Sequence, residues 1–381
     1  MLRKSLVEMI GLSWIIPFSA AVLALRPVFF VNYFTLDELG RYVLILSFAT
    51  PLAFLIGGAN EVKILSDKLS GSSVDIAILK FKNLVYLLIP IFSIFWVYEF
   101  DNTVLWVFLA IFVHLGSVTT LALLRYDSEN LFLYASLLRS IGIIFCVIVA
   151  ISLDRILLII FCEAVISCAL GCFFMRSLKP HRMNMRLREL LVINNFSGPY
   201  FLNSLTSNAD KYFVAFFGLK AVGVFALVNI FVSAGTMLSG VINSFLFHNR
   251  SREILRILQI GIFAGLLICV IGFLPIVHTV AASVLPLEYR WMTPVGVFVV
   301  VVGILNIMEY VVWLENSPNL LIYQMLVGLC MFVLSVYVLL QVLGMPLVHT
   351  IWVSVFVSST SKLAFLIIKQ AFFRNHKLLK I

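Results

Sequence analysis

Charge is scarce in this chain. Only 12% of its 381 residues are Asp, Glu, Lys or Arg, about half the share carried by a soluble domain. That scarcity, with 62% hydrophobic residues and a mean hydropathy of +1.10, excludes a chain made of water-soluble domains and leaves no stretch large enough for one. Walker-type phosphate loops are absent, so energy from bound ATP is not expected. The six cysteines (Cys146, Cys162, Cys168, Cys172, Cys269 and Cys330) all fall in apolar segments and form no C-x-x-C pair. Cys168 and Cys172 share a helical face, yet no His or further Cys beside them completes a metal site, so they read as small packing residues. No metal and no cofactor is expected.

What the chain does have is long apolar runs. A bilayer span takes about 20 such residues, and twelve candidates are found, at roughly 10–33, 40–60, 81–98, 104–124, 131–153, 156–175, 193–217, 221–246, 257–279, 294–314, 319–341 and 347–368. The first follows Arg3 and Lys4 but runs on to Tyr33, longer than a signal-peptide core, and reads as an uncleaved span. The expected fold class is therefore an all-α polytopic membrane protein.

The net charge of +9 has its explanation in topology. With the N-terminus inside, the inner segments hold nineteen of the 27 Lys and Arg residues, while the outer ones hold only Arg41, Arg155, Lys220 and Arg290. Both termini are then cytoplasmic, and nucleic-acid binding is not needed to account for the basic balance. Arg26, Arg139, Lys211 and Lys362 remain within spans.

The longest basic loop, Arg176 to Leu190, divides the spans six and six. A shift of 183 positions lays Phe30, Val31, Phe34, Leu36, Gly40, Leu44 and Phe48 on Phe213, Val214, Phe217, Leu219, Gly223, Leu227 and Phe231. In each copy an aromatic helix end leads through a short turn and a Gly into the next helix. Six spans is an even number, so the two copies enter the membrane in the same sense, as a parallel repeat. Two halves of six spans are expected, 1–180 (N-terminal lobe) and 181–381 (C-terminal lobe).

The seventh span is the least apolar. Asn203, Ser207 and then Asp210 or Lys211 recur at helical spacing on one face, with Ser197, Gly198 and Pro199 a turn before them. Such a face is costly against lipid and points to the wall of a transport pathway. Arg26 and Lys211, at similar heights in the two copies, would either receive an anionic phosphate group or snorkel to head groups. Asp210 reads as the structural partner of Lys211 or as a site for a proton or Na+. Arg139 and Glu163, about one turn apart in height, read as an ion pair, or as a cavity cation with a titrating carboxylate. Glu309, three residues after Asn306, is a coupling carboxylate or a solvated helix end. Lys362, after the polar run Ser358, Ser359, Thr360 and Ser361, lines an inner vestibule or snorkels. His114 and His278, each alone in or beside a span, read as hydrogen-bonded packing residues, with a proton relay as the alternative.

The segments FFVNYFTLDELGRYVLILSF and DKYFVAFFGLKAVGVFALVNIF, with Asp-Lys, an aromatic-apolar run and a Gly-aromatic at the next helix head, resemble the O-antigen and polysaccharide repeat-unit flippases of the multidrug/oligosaccharidyl-lipid/polysaccharide exporter superfamily. The twelve-span, two-lobe layout is similar along the whole chain. The resemblance implies two parallel-repeat six-helix lobes around a central cavity, in a bacterial inner-membrane flippase, not an enzyme, working by alternating access. Its substrate would be a polyprenyl-pyrophosphate-linked oligosaccharide, and its partners membrane lipids, H+ or Na+, and polysaccharide polymerase machinery. Substrate-binding candidates are then Arg26, Lys211, Arg139, Lys362, Asn203 and Ser207, and ion-coupling candidates Asp210, Glu163 and Glu309. A drug or metabolite antiporter of the same superfamily is the alternative, favoured if carboxylates dominate the cavity. A membrane polysaccharide polymerase is a further one, disfavoured because the longest outer segment carries only Glu288 and Arg290.

Overall fold

In a computed structural model, the structure describes residues 29–57, 76–100, 102–175, 197–229 and 319–378, with Ile15, Phe18, Ser19, Val22 and Arg26 before them. Among these residues the protein is all-helical. In hydrocarbon a backbone N–H or C=O has no water to turn to, and a helix pairs both within its own segment. The expected spans accordingly appear as α1 Leu36–Gly57, α2 Ile76–Phe100, α3 Thr103–Asp127, α4 Glu129–Ser152, α5 Leu158–Met175, α6 Ser197–Ala215, α7 Leu219–Asn229, α8 Asn319–Tyr337 and α9 Leu347–Leu378. Four of the described helices are long and apolar enough to cross a membrane. The expected spans 257–279 and 294–314 lie outside the described residues, as do most of 10–33 and residues 230–246 of the eighth.

The third expected span, the shortest by hydropathy at 81–98, is one of the longer helices. It extends over 25 residues because Lys80 and Lys82, which break the apolar run, do not break the helix. The last span likewise runs well past its apolar stretch, to Leu378. Helix length and apolar length are separate quantities, and the second is set by the bilayer alone.

Short polar devices join the helices. Thr35 and Glu38 form a capping box at the start of α1, with the Thr35 N–H donating to Glu38 Oε2 at 2.9 Å and the Glu38 N–H to Thr35 Oγ1 at 3.3 Å. Asn102 caps α3 through Val104 N–H at 2.8 Å. A single extended residue, Ser128, separates α3 from α4. Gly218 (φ 101°) and Gly344 (φ 62°) take left-handed turns after α6 and after the π turn Val338–Val342 that extends α8.

Two compact units are present. The first contains Met1–Leu23 and Arg41–Leu205, the second Ala24–Gly40 and Thr206–Ile381. In the first, Leu87 of α2 is the key of the packing. An added Cβ on Gly116 of α3 would meet one Leu87 methyl at 2.5 Å, and one on Gly171 of α5 would meet the other at 2.5 Å. Two glycines on two helices thus form the slot for one leucine, which is how membrane helices approach closely without water to drive them together. One turn away the fully buried Asn83 donates to Thr120 Oγ1 at 2.7 Å, and Thr120 donates on to the Gly116 carbonyl at 2.8 Å. In the second unit, buried Phe332 of α8 meets Phe213 and Phe225 edge-on at 6.2 and 5.9 Å.

Outward surfaces are apolar. Phe92, Trp96, Phe145, Phe173 and Phe216 are each at least 60% exposed. Large exposed rings on so many helices belong in lipid, and the chain is a multi-pass membrane protein. Leu87→Ala should lower stability by about 2–5 kcal/mol, because the slot between two glycines cannot collapse. The fall would be read as a drop in the thermal unfolding midpoint in detergent.

Candidate functional site

The polar face expected on the seventh span is carried by α6. Asn203 and Ser207 occupy successive turns of it, in register with Lys211. Ser204 and Asn208 alternate with them and are buried. At the next turn, Lys211 Nζ donates to Asn208 Oδ1 at 2.5 Å. Its backbone N–H donates to Asp210 Oδ1 at 2.9 Å. Both charged side chains are half-buried. A short acceptor on the preceding turn therefore holds the ammonium back along the helix.

Lys362 of α9 joins this group. Its aliphatic stem lies across Gly328 of α8, where an added Cβ would fall on Lys362 Cε, 2.7 Å from Cγ and 2.9 Å from Cδ. The missing side chain at 328 thus supplies the bed for the lysine. The ammonium is near enough for its charge to act on both Asp210 and Lys211. Two cations and one carboxylate are gathered in one unit, so the two lysines do not repel each other unopposed. Arg26 belongs to the same unit, is helical, and is 9% exposed.

A second charged group lies in the first unit. Arg139 of α4 and Glu163 of α5 are half-buried, and both act electrostatically on His114 of α3. The His114 ring stands edge-on to Phe54 of α1 at 6.0 Å. The reading of His114 as a packing residue, with a proton relay as its alternative, did not foresee that Arg139 and Glu163 are near enough to act on it electrostatically. Only the packing of three helices reveals that grouping. Asn208 was also missed, although a buried amide three residues before an intramembrane lysine is a signal the sequence offered. Glu309 lies outside the described residues. Among the described residues no cluster of His, Cys, Asp and Glu could hold a metal ion, and Cys146, Cys162, Cys168, Cys172 and Cys330 are unbridged.

With this geometry in view, the chain can be compared with known proteins. No protein-family model matches it, and no curated protein sequence does. Solved structures do. The chain is similar to the lipid II flippase MurJ in its inward closed conformation, with a TM-score of 0.65 at 14% identity over 95% of this chain and 87% of that one. It is similar to a MATE transporter in the straight conformation, with a TM-score of 0.60 at 14% identity, covering 98% and 96%. It is also similar to the Vibrio cholerae MATE transporter VcmN in the bent form, with a TM-score of 0.56 at 12% identity, covering 98% of each. The fold is shared with these solved structures, one of them described as a MATE family transporter of the MOP superfamily.

Asp210→Ala removes the carboxylate between two cations. It should destabilise the protein by about 1–3 kcal/mol, because two half-buried ammoniums lose the charge that opposes them. Adding Lys211→Ala should restore part of that loss, measured as unfolding midpoints of the purified protein in detergent. Strictly additive losses would show that the two groups do not compensate each other.

Proposed function

We propose that the protein is a flippase that carries a polyprenyl-pyrophosphate-linked oligosaccharide, an O-antigen or other polysaccharide repeat unit, from the cytoplasmic to the outer leaflet of the bacterial inner membrane. The observation that carries this reading is the sign of the charge. Among the described residues of the second unit, Arg26, Lys211 and Lys362 are accompanied in the span interiors by Asp210, while Asp37, Glu38 and Lys220 stand at the helix heads. A pyrophosphate demands such an excess, with Arg able to engage phosphate oxygens in pairs and Lys acting as a point charge. The likeness in fold to a lipid II flippase supports the same class of cargo.

In this reading the two lobes, 1–180 and 181–381, rock about a fixed site. The head group enters from the inner leaflet while the prenyl tail stays in lipid, and Asn203 and Ser207 offer hydrogen bonds to the sugar. No bond is made or broken in the cargo. Direction comes from an ion gradient or from consumption of the product outside, by polymerase machinery. Asp210, Glu163 and Glu309 are the groups that would take up H+ or Na+.

A second reading, an ion-coupled drug or metabolite antiporter, is favoured by the fold shared with the MATE transporters and by the placement of Asp210 beside the lysines. The two readings separate on the cations. A charge-assisted hydrogen bond is worth about 1.5–3 kcal/mol, so losing two should weaken head-group binding by at least about a hundredfold. Arg26→Ala with Lys211→Ala is expected to abolish surface polysaccharide in the host while the amount of protein in the membrane stays the same. Normal polysaccharide in that double variant would remove both residues from the site and favour the antiporter.

A further inference from the structure

One buried group in the second unit makes no bond that the fold uses. The buried positions of α8 recur every fourth residue, at Gln324, Gly328, Phe332 and Val336, and form a single stripe. Two of the four are apolar, and one is the glycine on which Lys362 lies. The fourth, Gln324, is 0% exposed, and neither its Oε1 nor its Nε2 has a hydrogen-bond partner. No other buried amide among the described residues is bare at both atoms. Asn83, buried to the same degree, donates through Nδ2 to Thr120.

The neighbours of α8 fix the height at which this amide stands. Phe332 meets Phe213 of α6, and Lys362, lying on Gly328, acts on Asp210 and Lys211. Gly328 precedes Phe332 as Asp210 precedes Phe213, so α6 and α8 run in the same direction. Counted back from that ring contact, Gln324 at eight residues falls between Ser207 at six and Asn203 at ten. It is also one turn, about 5.4 Å, from the level of the two lysines.

A buried amide left bare is costly, and an apolar side chain of similar shape would not be. The chemistry of the group restricts what would complete it. A carboxamide presents an acceptor and two donors side by side. A phosphate only accepts and would leave Oε1 bare. A cation only takes up the oxygen and would leave Nε2 bare. Neighbouring hydroxyls of a sugar ring both donate and accept, and they satisfy the two ends at once.

We propose that Gln324 is a specificity residue that binds the hydroxyls of the cargo's first sugar, beside a pyrophosphate held one turn away by Lys211 and Lys362. The proposal rests on the lipid-linked-sugar reading and adds to it which part of the head group the amide recognises. Cargo that pairs the amide recovers the free energy that its burial costs.

The test uses full-length protein in lipid nanodiscs and two probes, a polyprenyl diphosphate and the same lipid carrying one hexose. Gln324→Met, close in length and apolar, should raise the thermal unfolding midpoint of unliganded protein. It should also weaken binding of the hexose lipid by about tenfold, the contribution of two neutral hydrogen bonds. Binding of the sugar-free lipid should not change. Gln324→Leu should behave alike, and serves if the Met variant is poorly produced. A midpoint that falls or stays level in both variants would overturn the proposal, since the amide would then have a partner in the fold. So would a preference for the hexose lipid that survives both substitutions. Wild-type protein that binds the two lipids equally removes the sugar contact and leaves the flippase reading standing. Wild-type protein that binds neither lipid removes both.

Discussion

Hydrocarbon sets the terms for this protein. It offers no hydrogen bonds and screens no charge, so each polar group inside a span must find its partner within the protein. The consequences reach every level described above. Backbone groups are paired by helices. Serine and threonine hydroxyls fold back on their own helices, as Ser140 does to Ser136 and Thr120 to Gly116. Lysine leans on a neighbouring amide, and a carboxylate is stationed beside two ammoniums. A soluble protein could leave any of these to water.

The same solvent removes the usual reason for helices to associate, since lipid tails are as apolar as leucine. Close fit takes its place, and here glycine provides it in three different ways. Gly116 and Gly171 make a slot for the Leu87 side chain. Gly328 makes a bed for a lysine stem and so aims a charge. Gly40 and Gly223 admit backbone to backbone, the Leu219 carbonyl against the first and the Leu36 carbonyl against the second. One residue type thus serves stability, electrostatics and the meeting of two helix heads, according to what lies opposite.

Much of the fold is legible in the sequence because the bilayer imposes a length, and apolar runs of that length leave little room for another reading. The repeat is legible for a different reason. Gly40 and Gly223 fall at equivalent distances from an aromatic helix end, and a backbone contact forbids replacing either. Less of the site can be read. The spacing of Asn203, Ser207 and Lys211 gives the polar face of α6, but not which helices approach it. Lys362 lies more than 150 residues away, and only the packing of α9 on α8 brings it to Asp210. His114 looked solitary because Arg139 and Glu163 reach it from two other helices. Helix ends were blurred where lysines cut short the apolar run but not the helix, as at Lys80 and Lys82.

The two helix heads that meet at the glycines are no longer equal. The first begins with Asp37 and Glu38, the latter engaged with Thr35 in a capping box. The second begins after a left-handed Gly218 and carries Lys220 in its opening turn. A helix start already bears partial positive charge. One head thus neutralises its dipole while the other adds to it. Two unchanged copies of a duplicated segment would face each other with the same sign. This pair instead carries opposite charges on its two heads, Asp37 and Glu38 on one and Lys220 on the other, within one reciprocal backbone geometry.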